Sequence, residues 1–320
     1  MTKLPAALAM RAIPLRGAWS STARPADFGI RLAAALAVAV SVGAGQLSQS
    51  STEPGDAGAS GRSEAGPAGG TQAAAVLPEG MIGVYTGAPY TYSSDVHVVK
   101  PGEHDFTAKD VSWVGRPFVD PIYYGVRLSR WAGGGNFAGM LDFTHSKAIA
   151  PLDQEVQFEG KAGGVDVPER GKLSELFRRL EFSHGHNMLT LNGLVALPRP
   201  HSRVRPYLGL GAGVSLPHSE VHLAQDPQRS YEYQYAGPTV QALFGFEFQT
   251  PRVSYFIEYK FTSAWNEAFL THRDGSWLFV DLWLQAMRWW NGEAAPGGTV
   301  RTTLVSHQII GGVALRISSR

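Results

Sequence analysis

The chain has 320 residues, with 28 basic and 27 acidic side chains, 37 glycines and no cysteine. A formal net charge of +1 with no basic stripe gives no footprint for nucleic acid, and the lack of cysteine excludes a disulfide scaffold and thiolate catalysis. Only 17% of residues are charged while 11% are aromatic, a balance that suits a β-barrel better than a soluble helical enzyme.

Residues 1–44 read as an export signal. Lys3, Arg11, Arg16, Arg24 and Arg31 form a basic leader opposed by Asp27, and residues 29–42 are an Ala-, Leu- and Val-rich run broken by Arg31. That run is shorter than the roughly 20 residues a spanning helix needs, and the small residues Val42-Gly43-Ala44 suit cleavage. Met10 offers an alternative start, and an N-terminal membrane anchor is the alternative reading. Residues 45–79 are Ser, Gly, Ala, Glu and Pro with almost no large apolar side chain. Such a segment cannot bury enough surface to offset its chain entropy, so it is expected to be a disordered linker. Residues 80–320 are expected to form the folded domain.

Strand signals of period two follow in order. Ile82, Val84 and Ala88 share a parity against Gly83, Tyr85 and Gly87. A long connector, residues 92–120, holds a strand-like piece near 110–114. Tyr124, Val126 and Leu128 alternate with Tyr123, Gly125, Arg127 and Ser129, and Leu141 and Phe143 alternate with Asp142 and Thr144. Between those strands 132–136 makes a tight Gly-rich turn. In the connector 148–185, Leu173, Leu176, Phe177 and Leu180 have helical spacing and predict a short amphipathic helix. The clearest hairpin is 189–214, where Leu189, Leu191, Val195 and Leu197 answer Leu208, Leu210, Ala212 and Val214 across the turn 198–203. Its other face carries Thr190, Asn192, Gly209, Gly211 and Gly213, too small and polar for an ordinary core. Two further strands, around 240–248 and 253–262, are joined by the turn 250–252, and a last one covers 305–317.

The expected architecture is all-β: a transmembrane up-and-down antiparallel β-barrel of about eight strands, with long external loops, in a bacterial outer membrane. Connectors alternate between long and short, as outer-membrane barrels require. By parity Arg127, Asp142, Glu247, Glu258, Lys260 and Arg316 point inward, where mixed charges pair and hold the barrel shut. A half-buried soluble sheet is the alternative.

Nine of the ten histidines fall in or beside the long connectors, His201 being the exception. His184 and His186 precede one strand; His218, Glu220 and His222 form a row after its neighbour; Asp142 and His145 end the strand on the other side. Residues two apart on a strand share a face, and imidazole with carboxylate at that spacing suits a divalent metal or proton transfer. A plain hydrogen-bond network is the competing reading. Candidate catalytic residues are His186, His218, Glu220 and Asp142; candidate metal ligands are His145, His184 and His222. Arg178 and Arg179 suit lipid phosphates, with Asn187 and Tyr233 as further substrate contacts. The aromatic stretch 277–290 suits a membrane interface, as a helix on the outer leaflet or as a lid.

Several motifs resemble the lipid A oxidase family of small outer-membrane barrels. They are Gly83-Val-Tyr-Thr-Gly87, Trp113-Val-Gly-Arg-Pro-Phe118, Pro121-Ile-Tyr-Tyr-Gly-Val-Arg127 and Leu141-Asp-Phe-Thr-His-Ser-Lys147. Also similar are Glu181-Phe-Ser-His-Gly-His-Asn-Met-Leu-Thr-Leu-Asn192, Pro206-Tyr-Leu-Gly-Leu-Gly-Ala-Gly213 with Pro217-His218, and Phe256-Ile-Glu-Tyr-Lys-Phe261. The resemblance implies oxidation of the proximal glucosamine of lipid A to 2-aminogluconate, with molecular oxygen as co-substrate and hydrogen peroxide released. It implies lipopolysaccharide and outer-membrane lipid as partners, no nucleic acid, and a monomer. Asp142, His145, His186, Asn187, His218 and Glu220 occupy matching motif positions. The tryptophan-rich stretch 277–290 and the non-aromatic C-terminus Ile317-Ser-Ser-Arg320 depart from the pattern. Two other classes stay open: a non-catalytic structural or binding barrel, and a lipid A deacylase recruiting Ser183, Ser219 or Ser306.

Overall fold

The computed structural model describes residues 79–275 and 277–318. The expected export signal and nearly all of the expected linker lie outside the described residues; Glu79, assigned to the linker, opens the first strand. In chain order the strands are β1 (Glu79–Thr91), β2 (Ser94–Lys100), β3 (His104–Val111), β4 (Tyr124–Trp131), β5 (Phe137–Ile149), β6 (Glu155–Ala162), β7 (Val165–Asp166) and β8 (Arg170–Lys172). They continue with β9 (Phe177–Ala196), β10 (Val204–Ser215), β11 (His218–Leu223), β12 (Ser230–Tyr233), β13 (Gly237–Gln249), β14 (Val253–Phe269) and β15 (Thr299–Ser318). One α-helix, α1 (Leu278–Asn291), sits between β14 and β15.

Eight strands close on themselves in the order β1-β4-β5-β9-β10-β13-β14-β15, and β15 pairs back onto β1 from Glu79↔Ser318 to Thr91↔Ser306. Every pairing in the ring is antiparallel. The short turns after β4, β9 and β13 lie at the end where β1 starts and β15 stops. The four long connectors lie at the other end.

Polarity in the ring is reversed relative to a water-soluble protein. The outward rows are apolar and exposed: Ile82, Val84, Val126, Leu128, Leu208, Leu210, Ile257, Ile309 and Leu315, with Leu210 at 72%. The inward rows are buried and mixed: Met140, Leu194, Leu243, Phe256 and Ile310 pack together beside a set of paired charges. Lys260 Nζ donates to Asp142 at 2.6 Å, Tyr85 at 2.8 Å and Thr144 at 3.2 Å. Arg127 makes two bonds to Glu258 at 3.0 Å, and Tyr207 donates to Glu258 at 2.7 Å. Two cations and two anions therefore neutralise one another, which buried charges require. The tyrosines reach across because glycine faces each ring: a Cβ at Gly125 would overlap Tyr85, and one at Gly245 would meet Tyr207.

The long connectors are not plain loops. Beyond the ring, β15 pairs with β2, β2 with β3, and β3 with β6, while β9 continues upward to pair with β11. This head has its own apolar core, including Val96, Val98, Phe106, Phe158, Leu173, Phe177, Leu180, Phe182 and Leu304. The strand-like piece expected at 110–114 is instead the end of β3 and a bridge from Val114 to Ile149. The helix expected over 173–180 is also corrected. Only a 3-10 turn, Leu173–Glu175, forms, and Phe177 already begins β9. Leu173, Leu176, Phe177 and Leu180 all enter the head core, and pairing of β9 with β5 and β11 outweighs the helical spacing.

Candidate functional site

The candidate site is built where β9 leaves the ring. Asn187 shares the outward parity of Leu189 and Leu191, and Gly185, at φ +133, interrupts the regular strand just beyond it. A side chain at that φ is strained, so the glycine lets the strand change course. Leu216 and Pro217 separate β10 from β11, which then pairs with the upper part of β9, setting Glu220 opposite Glu181. On its other edge β11 pairs with β12, setting His218 opposite Tyr233 and Glu220 opposite Tyr231.

Glu220 is the centre. Ser183 Oγ donates to Oε1 at 2.7 Å, His184 Nδ1 bonds the same oxygen, and Arg179 Nη1 donates to Oε2 at 2.7 Å. His218 Nδ1 lies 3.6 Å from Oε1, which is an ion-pair distance rather than a hydrogen bond. Burial opposes ionisation of Glu220, but the contacts with His218, His184, Ser183 and Arg179 outweigh it and hold the carboxyl down at about 2. Burial, with the Glu220 charge beside it, pushes the Tyr231 hydroxyl up.

The two imidazoles differ. His218 is buried, and its Nε2 lies 3.3 Å from the Gly275 carbonyl oxygen, which can only accept. Nε2 therefore carries the proton, and Nδ1, buried with no hydrogen-bond partner, faces a carboxylate. A lone pair against an anion is unfavourable unless a proton or a cation lies between them. Edge-on contacts from Tyr231 and Tyr233, 4.3 and 4.6 Å from the His218 ring, fix its plane. His184 is half-exposed, with Tyr231 Oη 3.4 Å from its Nε2. Single ligand atoms of His184, His218 and Glu220 all lie within 4.8 Å of one another. Two imidazole nitrogens and a carboxylate at that spread fit a divalent transition metal such as iron(II), with the exposed His184 side open to a further ligand.

The structure gathers only some of the residues named from the sequence. His184, His218, Glu220, Arg179 and Tyr233 converge. His145 and Asn187 form an adjoining pair: His145 Nδ1 and Asn187 Oδ1 are 2.8 Å apart, Asn187 Nδ2 donates to Leu216 O at 3.2 Å, and His145 stacks on Tyr124 at 4.7 Å. Asp142 lies inside the ring with Lys260, away from the cluster, because its parity is the inward one. His186 is buried with its ring 6.0 Å from Phe182, a member of the head core. His222 lies two pairs beyond Glu220 on β11 and bonds the Asp226 carbonyl at 3.0 Å. Arg178 is exposed and outside the cluster. Tyr231 was missed; the alternation Ser230-Tyr-Glu-Tyr-Gln-Tyr235 inside a connector was the signal for β12.

No known family model matches the sequence, and no curated protein matches it significantly. Among solved structures the chain is similar to Neisserial surface protein A (NspA), at 11% identity and a TM-score of 0.30, covering 74% of this chain and 96% of that one.

Proposed function

We propose that this chain is an outer-membrane β-barrel that modifies lipid A, oxidising its proximal glucosamine with molecular oxygen. The ring's polarity supports the membrane placement: an exposed apolar belt outside, with the charges paired inside, is what lipid demands. The observation that carries the reading further is the position of the His184–His218–Glu220 cluster. It lies not in the lumen but on the wall above the apolar belt, on the strand whose outward row runs from Leu191 through Asn187. A substrate held in the outer leaflet meets the protein at that height.

The residues divide the work as follows. Glu220 stays ionised and holds His184, with His218 Nδ1 at 3.6 Å from the same oxygen. His184, the half-exposed member, is the one placed to meet the sugar hydroxyl, with Tyr231 setting its ring. Arg179, also half-exposed, lies beside the cluster and bridges Glu220 and Glu181 at 2.7 and 3.0 Å, fixing the Glu220 carboxylate. A redox-active divalent metal, were one bound, would be held by His184, His218 and Glu220 and would supply the electron-transfer chemistry that oxygen requires. Overall the sugar C1 gives two electrons and two protons to oxygen, yielding peroxide, and water opens the resulting lactone.

The deacylase alternative fares worse on geometry. Ser183 bonds Glu220 directly, whereas a triad needs serine on the far nitrogen of the histidine that the acid orients. Ser306 lies in the ring bonded to Thr91. The oxidase reading is tested with purified protein in detergent, lipid A lacking its anomeric phosphate, and air. The expected products are lipid A heavier by one oxygen and an equivalent of peroxide. Unchanged lipid A and no peroxide from correctly folded, metal-supplied protein would leave a non-catalytic barrel. Release of a fatty acid would instead select the deacylase.

A further inference from the structure

Helix α1 is built with its polar side inward. Asp281 and Gln285 are its buried residues. Asp281 accepts from the Tyr233 N–H at 3.2 Å, and Gln285 bonds both the N–H and the carbonyl of Tyr235, at 2.8 and 2.9 Å. Four residues of helix rise about 6 Å and two residues of strand about 6.8 Å, so residues 281 and 285 match 233 and 235 and continue the edge that the Tyr231–Asp274 bridge begins. Arg288 on the same side reaches Glu232 at 3.0 Å, and Arg273, just before the helix, reaches Glu232 at 3.2 Å and Asp281 at 3.1 Å.

The opposite side is aromatic and bare. Phe279 is 85% exposed, Trp283 66% and Trp290 84%. At 3.6 residues per turn these three fall on one stripe, roughly opposite 281, 285 and 288. A helix packed on a protein core points such a stripe at the core; this one points it away. The docked flank of the helix reaches the end of the ring's apolar exterior. Trp289 lies 6.1 Å from Phe269, which ends the outward row of β14 that includes Tyr255, Ile257, Tyr259 and Trp265. At 14 residues the helix is about 21 Å long, and among the described residues no helix is long and apolar enough to cross a membrane.

We infer that α1 is an interfacial helix whose aromatic face beds in the headgroup–acyl boundary of the surrounding leaflet. Tryptophan and phenylalanine on one face of a helix with polar groups on the other are the composition such a helix requires. The inference rests on the membrane placement proposed above and deepens it. Because α1 docks on β12, and the Gly275 carbonyl just before it holds His218, bedding the helix fixes the cluster at leaflet height. The substrate class is then an amphipathic glycolipid already resident in the leaflet, not a soluble sugar.

The chain has no cysteine, so single cysteines give single spin labels. The variants are Phe279→Cys, Trp283→Cys, Leu210→Cys and Val165→Cys, each in phosphatidylcholine–phosphatidylglycerol vesicles. Collision with oxygen reports lipid, and collision with a water-soluble nickel chelate reports water. At positions 279 and 283 the oxygen-to-nickel ratio is expected to be several-fold above that at 165 and close to that at 210. A ratio at 279 and 283 equal to that at 165, with 210 in lipid, overturns the inference and leaves the barrel reading standing. Labels at 279 and 283 immobilised and shielded from both agents also overturn it, since a lid or a second copy would then cover the face. A label at 210 in water defeats the membrane reading itself.

Discussion

Replacing Lys260 by methionine tests whether the charges inside the ring hold it together. Lys260 and Asp142 are both fully buried, 2.6 Å apart, and Asp142 keeps only Arg127, at 3.7 Å, as a second cation. Removing one partner of a buried pair costs about 3–5 kcal/mol, because the other charge is left uncompensated. With a urea slope of about 2 kcal/mol/M, the unfolding midpoint of Lys260→Met falls by about 2 M. The double variant Lys260→Met/Asp142→Leu removes both charges, leaves the Arg127–Glu258 pair intact, and returns to within about 1 kcal/mol of the parent. Urea titration in lipid vesicles, followed by the gel shift between folded and unfolded barrel, reads both numbers. A single variant as stable as the parent, or a double variant no better than the single, would refute the reasoning that paired charges close the lumen.

Other consequences follow from the geometry. His184→Ala and Glu220→Gln are expected to lower lipid A oxidation by about a hundredfold or more while the folded gel mobility is kept, whereas His222→Ala stays near parental activity; equal losses in all three would mean that the cluster is not the site. Glu220 contributes stability because its folded value, about 2, is depressed below the ordinary 4.5. That contribution is whole above pH 4.5 and disappears as pH falls toward 2, so the stability gap between parent and Glu220→Gln should shrink over that window; a gap independent of pH would contradict this. Gly125→Ala places a methyl against the Tyr85 ring and should destabilise the fold by about 1–3 kcal/mol in the same urea assay; a neutral result would mean that Tyr85 does not need that space.

The ring was legible in the sequence because its strands carry an apolar outward row and a mostly small or polar inward row. Leu208-Gly-Leu-Gly-Ala-Gly-Val214 and Val253-Ser-Tyr-Phe-Ile-Glu-Tyr-Lys260 carry the alternation openly, and inward parity located Arg127, Asp142, Glu258 and Lys260. The head was not legible, because its strands pack on an apolar core and lose that contrast. Phe177 and Leu180 therefore read as a helix while lying on β9. At the site, spacing picked out His184, His218 and Glu220 but could not tell which face of β9 each would take. The irregularity at Gly185 separates His184, which reaches Glu220, from His186, which packs on Phe182. The helix α1 was visible from its aromatics, but its docking through Asp281 and Gln285 depended on β12, a strand hidden in a connector.

The most direct test of the central claim is mass spectrometry of lipid A from a host that lacks this modification, with and without the gene, in air and without oxygen. The account predicts a gain of one oxygen on the proximal glucosamine, present only with the gene and only in air, and lost in His184→Ala. Unchanged lipid A, with the folded protein present in the outer membrane, would contradict it.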